Sequence, residues 1–395
     1  MNWLRVPIKK VADVESGFGF PRDCQGIMDA EIPFYKVGDM NLPGNESEMI
    51  VTANTISREV MRKLRARAFP AGAVIFPKIG AAIATNKKRI LTKPSVVDNN
   101  VMAMIPKDGI EPWYLFYWMQ QFDLRTVSNI GPVPSMRKSE VQEVEMPLPT
   151  VTEQRRIIDI LKQADALRKQ RIEVNGKSER IQSALFYKMF GDPATNSQKW
   201  PVKAFDEVFA DRTAQFPKLQ RSQYQEVGEF PVVDQGKELV AGFSDDEEFV
   251  VRIKHPVVVF GDHTRIVKYI DFDFIAGADG SRVFFTKKDF SPAFMATQLQ
   301  ILPIPNLGYS RHMREVKRLQ FIAPPISLQN VYAKISDRIR PLQDSQVRAT
   351  SDVDRIWRVL LRAAFAGNLT AKWRKSQMKA LLQEMENQAR ALGCK

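Results

Sequence analysis

Two long stretches of the chain carry apolar residues at helical spacing. Ile160, Leu167, Val174 and Ile181 recur seven apart, with Ile157, Ala164 and Leu185 on companion positions. A second stretch repeats the interval with Ile335, Leu342, Ala349, Ile356 and Ala363, and with Ile339, Val353 and Leu360 alongside. Spacings of three, four and seven predict two long helices with a coiled-coil-like seam. Ile160, Leu167, Val174, Ile181, Ile335, Leu342 and Ile356 are therefore expected at a helix–helix or partner interface. Arg171, Ser178 and Gln346 interrupt the seam, Gly176 weakens the first helix, and Pro341 predicts a kink or break in the second. Two ordinary amphipathic helices, each packed on its own domain, fit the same pattern.

Each helix is launched from a corner. Val144-Glu145-Met146 alternates like a strand, meets Pro147 and Pro149, and turns into the first helix. Thr150 and Glu153 have the spacing of a capping box, with Thr150 as cap and Glu153 reaching back. Arg318–Ile335 repeats the strand–proline–helix order. The two corners belong to an internal repeat. Gly131 and Gly308, Met136 and Met313, Arg137 and Arg314, and Pro147 and Pro324 are all 177 apart, while Leu185 and Phe190 lie 175 before Leu360 and Phe365. Trp3 and Trp200 open the blocks that precede the corners.

The chain thus reads as block, helix, block, helix. The expected boundaries are 1–150, a helix over 151–191, a linker over 192–199, a second block over 200–326, a helix over 327–367, and a helical tail over 368–395. The fold class is α/β with mixed sheets: two domains separated by two long antiparallel helices in a pseudo-two-fold arrangement. Helices of this length reach roughly 50 to 60 Å at 1.5 Å per residue. Duplex DNA has local two-fold axes, and dimeric readers bind paired half-sites. Two unlike blocks on one chain predict two unlike half-sites.

Composition narrows the partner. Net charge is +13 over 395 residues, which points to a polyanion. Hydrophobic residues make up 44%, as in a folded protein. The two cysteines, Cys24 and Cys394, exclude a disulfide framework and fit a reducing cytoplasm. No apolar run is long enough for a membrane span or a signal peptide, so a soluble protein is expected. His255, His263 and His312 show no metal-ligand spacing, and no metal site is expected. There is no Asn-Pro-Pro-Tyr loop, no GxxxxGK[ST] phosphate loop, and no Glu-x-Lys after Asp234 and Glu238.

The stretches PLPTVTEQRRI (147–157), ALFYKMFGDPATNSQKWP (184–201), VVDQGKELVAGF (232–243), VVVFGDHTRIVKYIDFDF (257–274) and LLRAAFAGNLTAKWR (360–374) resemble the specificity subunit of type I restriction–modification systems. The resemblance spans nearly the whole chain. Gln329-Asn330 stands in the second corner where the first has Glu153-Gln154. The resemblance implies a non-catalytic subunit with two target-recognition domains, each reading one half of a split, asymmetric site in double-stranded DNA. It implies two methyltransferase subunits and two restriction/translocase subunits as partners. It also implies no cofactor in this chain, with S-adenosylmethionine, ATP and Mg²⁺ on those partners. Competing readings are a stand-alone endonuclease or methyltransferase, or a basic coiled-coil scaffold.

Phosphate contacts position a DNA-binding protein and base contacts specify. Lys78 and the cluster Asn86, Lys87, Lys88 and Arg89 are the candidates in the first block. Gln235, Lys237, His263, Thr264, Arg265 and Lys268 are the candidates in the second. Arg137 and Lys138, mirrored by Arg311 and Arg314 with His312 beside them, are candidates common to both corners. Met378, Leu382, Met385, Ala389 and Leu392 form an apolar stripe on the tail, expected to dock on a partner or on the rod.

Overall fold

The computed structural model describes residues 3–391 apart from 130, 279 and 309. Leu392 and Cys394 lie outside the described residues, as does the side chain of Ala389. The chain forms two compact units. One is Met1–Arg171 with Ser351–Lys395, and the other is Ile172–Thr350. The division falls inside both long helices, so each unit combines one block with a half of each helix.

In the first unit a five-stranded sheet runs in the order Ala12–Ser16, Val101–Pro106, Val74–Pro77, Arg89–Leu91, Glu48–Met49. A three-stranded sheet adds Thr55–Ile56, Ile32–Tyr35 and Val96–Val97. The central strand Val74–Pro77 is buried on both faces, which explains its unbroken apolar run. Val74 and Phe76 point to a core shared with Tyr114 and Leu115 of the helix Pro112–Gln121. Ile75 points the other way, to a core with Tyr35, Met40 and Val97.

The second unit repeats this plan. Its four-stranded sheet runs Phe209–Asp211, Ser281–Thr286, Val257–Gly261, Val267–Ile270. Val258 and Phe260 face the helix Pro292–Ile301, while Val257 and Val259 face a separate core. A second sheet pairs Phe230–Val233 with Phe274–Ala276 in parallel, just as Ile32–Tyr35 pairs with Val96–Val97. A short antiparallel ribbon closes each block: Leu4–Pro7 with Glu145–Leu148, and Val202–Ala204 with Gln320–Ile322.

The first long helix spans Val151–Glu179 and resumes as Ile181–Phe190. The interruption at Arg180 follows Asn175-Gly176-Lys177-Ser178, a run poor in helix formers. The second helix spans Ile326–Phe365 without interruption. Pro341 does not break it; the residue is exposed, so the carbonyl it leaves unpaired is open to water. Within each unit the helix halves run antiparallel. In the first, Arg168 pairs with Asp354 at 2.6 Å and Glu153 with Arg374 at 2.8 Å. In the second, Gln182 donates to Ser336 at 3.1 Å and Gln343 donates to the Ser178 carbonyl at 2.7 Å.

Most of the buried helical residues lie off the seven-residue row, and of its companions Ile157 is buried. Ile157, Ile158 and Leu161 join Leu361, Ala364 and Phe365 in the core of the first unit. Phe186, Phe190 and Tyr332 pack with Phe294 in the second. Ile160 is half-buried, and Val174, Ile181 and Ile335 are exposed. Leu167, Leu342 and Ile356 are 67%, 66% and 60% exposed. The expectation of a helix–helix seam is corrected on this point: the domain-facing stripe is covered, and the seven-residue row is left outside.

Candidate nucleic-acid interface

In the second unit a loop follows the strand Phe230–Val233, and a turn at 262–266 lies against it. Thr264 Oγ1 donates to the Gln235 carbonyl at 2.7 Å, and the His263 amide donates to Gln235 Oε1 at 3.2 Å. Lys268 Nζ donates to the main-chain carbonyls of Asp234 at 2.7 Å and Glu238 at 2.5 Å. Lys268 is 5% exposed, so direct phosphate contact is corrected here to an internal role. Burial pushes its ammonium pKa down, against the pull of Asp234. Arg265 has a left-handed backbone, φ 62°, and donates to the Ile304 carbonyl at 3.0 Å. Lys237 and Thr264 are exposed, whereas Gln235 and His263 are half-buried.

The same turn is tied to the corner. Asp262 is buried, accepts from the Met313 amide at 2.7 Å and faces Arg282 at 3.3 Å. His312 is fully buried rather than on the surface. Its Nε2 accepts from the Leu307 amide at 3.2 Å, which leaves Nδ1–H to donate to the Asp262 carbonyl at 2.8 Å. Arg311 and Arg314 flank this anchor and are exposed.

The first unit brings its candidates to the corresponding place by other bonds. The Met136 amide donates to the Lys78 carbonyl at 3.0 Å, next to exposed Arg137. Lys78 Nζ donates to Ser16 at 3.1 Å, and exposed Lys138 pairs with Glu15 at 3.2 Å. Asn86 caps the 3-10 turn Gly80–Thr85 with φ 53° and accepts from the Leu124 amide at 3.0 Å. Lys88 is fully buried and donates to Asn86 Oδ1 at 2.7 Å and to the Phe122 carbonyl. It too is corrected from a phosphate contact to an internal one, and burial lowers its pKa to about 7. Lys87 donates to Asn41, and Arg89 donates to the Met40 carbonyl at 2.9 Å.

Comparison with known proteins shows what the chain is similar to. Residues 1–175 match the model of the type I restriction modification DNA specificity domain. Over these residues the chain is similar to the type I restriction–modification specificity family. The specificity subunit of the type I restriction enzyme MjaIX of Methanocaldococcus jannaschii is 26% identical over 202 residues, which are 48% of this chain and 44% of that protein. The chain thus spans less than half the length of this relative. The S subunit of the type I restriction–modification system of M. genitalium shares the fold, with TM-score 0.56, 14% identity, and coverage of 92% of this chain and 96% of that one. Among the described residues no helix is long and apolar enough to cross a membrane.

Two buried glutamines, which pattern reading missed, carry the corners. Gln154 Nε2 donates to the carbonyls of Pro149 and Gly109 at 3.1 and 3.0 Å, while its Oε1 accepts from the Glu111 amide at 2.9 Å. Gln329 Nε2 donates to the Pro324 carbonyl at 2.8 Å and its Oε1 accepts from the Ser291 amide at 3.0 Å. Glu111 and Ser291 are the N-caps of the domain helices, so each glutamine locks its block to its corner. Gln329 therefore replaces Gln154, not Glu153. The signal was available: each lies five residues after a corner proline, Pro149 and Pro324. Thr150 caps the first helix as expected, accepting from the Glu153 amide at 3.2 Å. Glu153 does not reach back. Its carboxylate accepts from Trp3 Nε1, Thr370 Oγ1 and Arg374 Nε at 2.9, 2.6 and 2.8 Å.

Proposed function

We propose that the chain is the DNA specificity subunit of a type I restriction–modification complex. It binds a split, asymmetric site in double-stranded DNA, one half per recognition domain. The observation that carries this reading is the repeat itself. Both domains set the segment after one strand, Ile32–Tyr35 or Phe230–Val233, against the segment that follows the central strand, yet these segments differ in sequence, as two unlike half-sites require. The exposed cations Arg137, Lys138, Lys237, Arg311 and Arg314 supply phosphate contacts, and Thr264 with Gln235 and His263 forms the reading edge of the second domain. The exposed row Leu167, Val174, Ile181, Ile335, Leu342 and Ile356 docks two methyltransferase subunits, since apolar rows of this kind mark interfaces. Two restriction/translocase subunits join them, and S-adenosylmethionine, ATP and Mg²⁺ act on those partners in the cytoplasm.

The test is a methylation map of cells carrying the partner methyltransferase, with and without this chain. A split adenine motif present only with the chain is expected, and exchange of residues 1–150 for those of a relative should alter one half alone. Methylation that is unchanged, or present without the chain, refutes the reading.

A further inference from the structure

The two domains share a strut that their sequences conceal. In the first, Arg89 faces Ile75 across the ladder, two residues before the end of the central strand Val74–Pro77. In the second, Lys268 faces Val259, two residues before the end of Val257–Gly261. Each side chain crosses to the loop of the neighbouring sheet. Arg89 Nη2 reaches the Met40 carbonyl at 2.9 Å, and Lys268 Nζ reaches the Glu238 carbonyl at 2.5 Å. Met40 and Glu238 each lie five residues beyond the last residue of their strand, Tyr35 and Val233. A cation in one repeat position thus holds the same carbonyl in both domains, although one is arginine and the other lysine.

The loops held in this way carry exposed polar groups. Lys237 projects from one, and Asn41, held by Lys87, from the other. The second loop is clamped further, because Lys268 also holds the Asp234 carbonyl and Thr264 holds that of Gln235. A cation that satisfies two carbonyls fixes main-chain direction, and loop direction sets which side chains meet base edges.

We propose that Arg89 and Lys268 are positioning residues that set the sequence preference of the two half-sites through the loops at 36–41 and 234–240 without touching DNA. This rests on the DNA-reading role proposed above. The two half-sites make the test self-controlled, because each variant leaves the other domain intact.

The experiment measures binding of the full chain, assembled with its methyltransferase, to duplexes randomised in one half-site at a time, over a series of salt concentrations. Lys268→Met should cut discrimination by about tenfold, the order of one base contact, in the half read by the second domain only. Arg89→Met should do the same in the other half. Lys268→Arg should restore most of the preference. The slope of log affinity against log salt should stay at the wild-type value for all three. Lys237→Ala, which removes an exposed cation, should lower that slope by about 0.9. The proposal is overturned if Lys268→Met lowers the slope as Lys237→Ala does, since Lys268 would then be a phosphate contact. It is overturned equally if both halves keep, or both lose, their preference. A wild-type complex with no sequence preference refutes the functional reading itself, a result distinct from either of these.

Discussion

Glu153 shows how one side chain takes different employment in two copies of a motif. In the first unit it is 2% exposed and accepts from an indole, a hydroxyl and a guanidinium. In the second unit the corresponding position, one before the buried glutamine, is Leu328, packed on an apolar core. The repeat therefore contains both solutions to the same site. Arg374→Ala should destabilise the first unit by about 3–5 kcal/mol, because it strands a buried carboxylate. Pairing it with Glu153→Leu should recover much of that loss, and urea denaturation of the single and double variants measures the coupling. Lys88 makes a pH-dependent contribution. Its pKa falls from 10.5 to about 7 in the folded protein, so between these values the unfolded chain binds a proton that the native one does not. Stability should accordingly rise with pH through that window, and Lys88→Met should flatten the rise in denaturation curves taken between pH 7 and 10. The basic cluster around Lys88 was legible as charge, but burial was not: Asn86-Lys87-Lys88-Arg89 reads as a polar turn until the Phe122 carbonyl is known to lie beneath it.

At the scale of elements, periodicity found both long helices and named a face of each. It named the uncovered face, because a seven-residue interval says which residues align and not which neighbour covers them. The domains cover Ile158 and Leu161, together with the companion Ile157. The tail repeats this, since Leu382 of the expected stripe is exposed. Its helix Met378–Ala391 buries Leu381, and Glu384 accepts from the Thr152 amide at 3.0 Å at the start of the first long helix. A carboxylate at a helix N-terminus is favoured both by the free amides and by the helix dipole. Truncation after Ser376 should remove both contributions, each about 1.5–3 kcal/mol. Amides at 152–154 should then exchange faster in hydrogen–deuterium exchange, while those of the sheet around Val257–Gly261 keep their protection.

For the whole molecule, the corners announced the repeat because prolines, a helix start and the core phenylalanines hold their offset. The sheets did not, since their connecting loops differ in length and sequence. Only strand order and register reveal that Val74–Pro77 and Val257–Gly261 are counterparts. The division into units also bears on synthesis. The second unit, Ile172–Thr350, is one continuous stretch of chain, whereas the first needs Leu361, Ala364 and Phe365 to finish the core that Tyr114 and Ile157 began. A ribosome working from the N-terminus therefore releases the domain made first with its core unfilled, and the domain made second can close before it. The first block waits through the making of the second with apolar surface exposed, which makes it the stretch where chaperone binding during translation should concentrate.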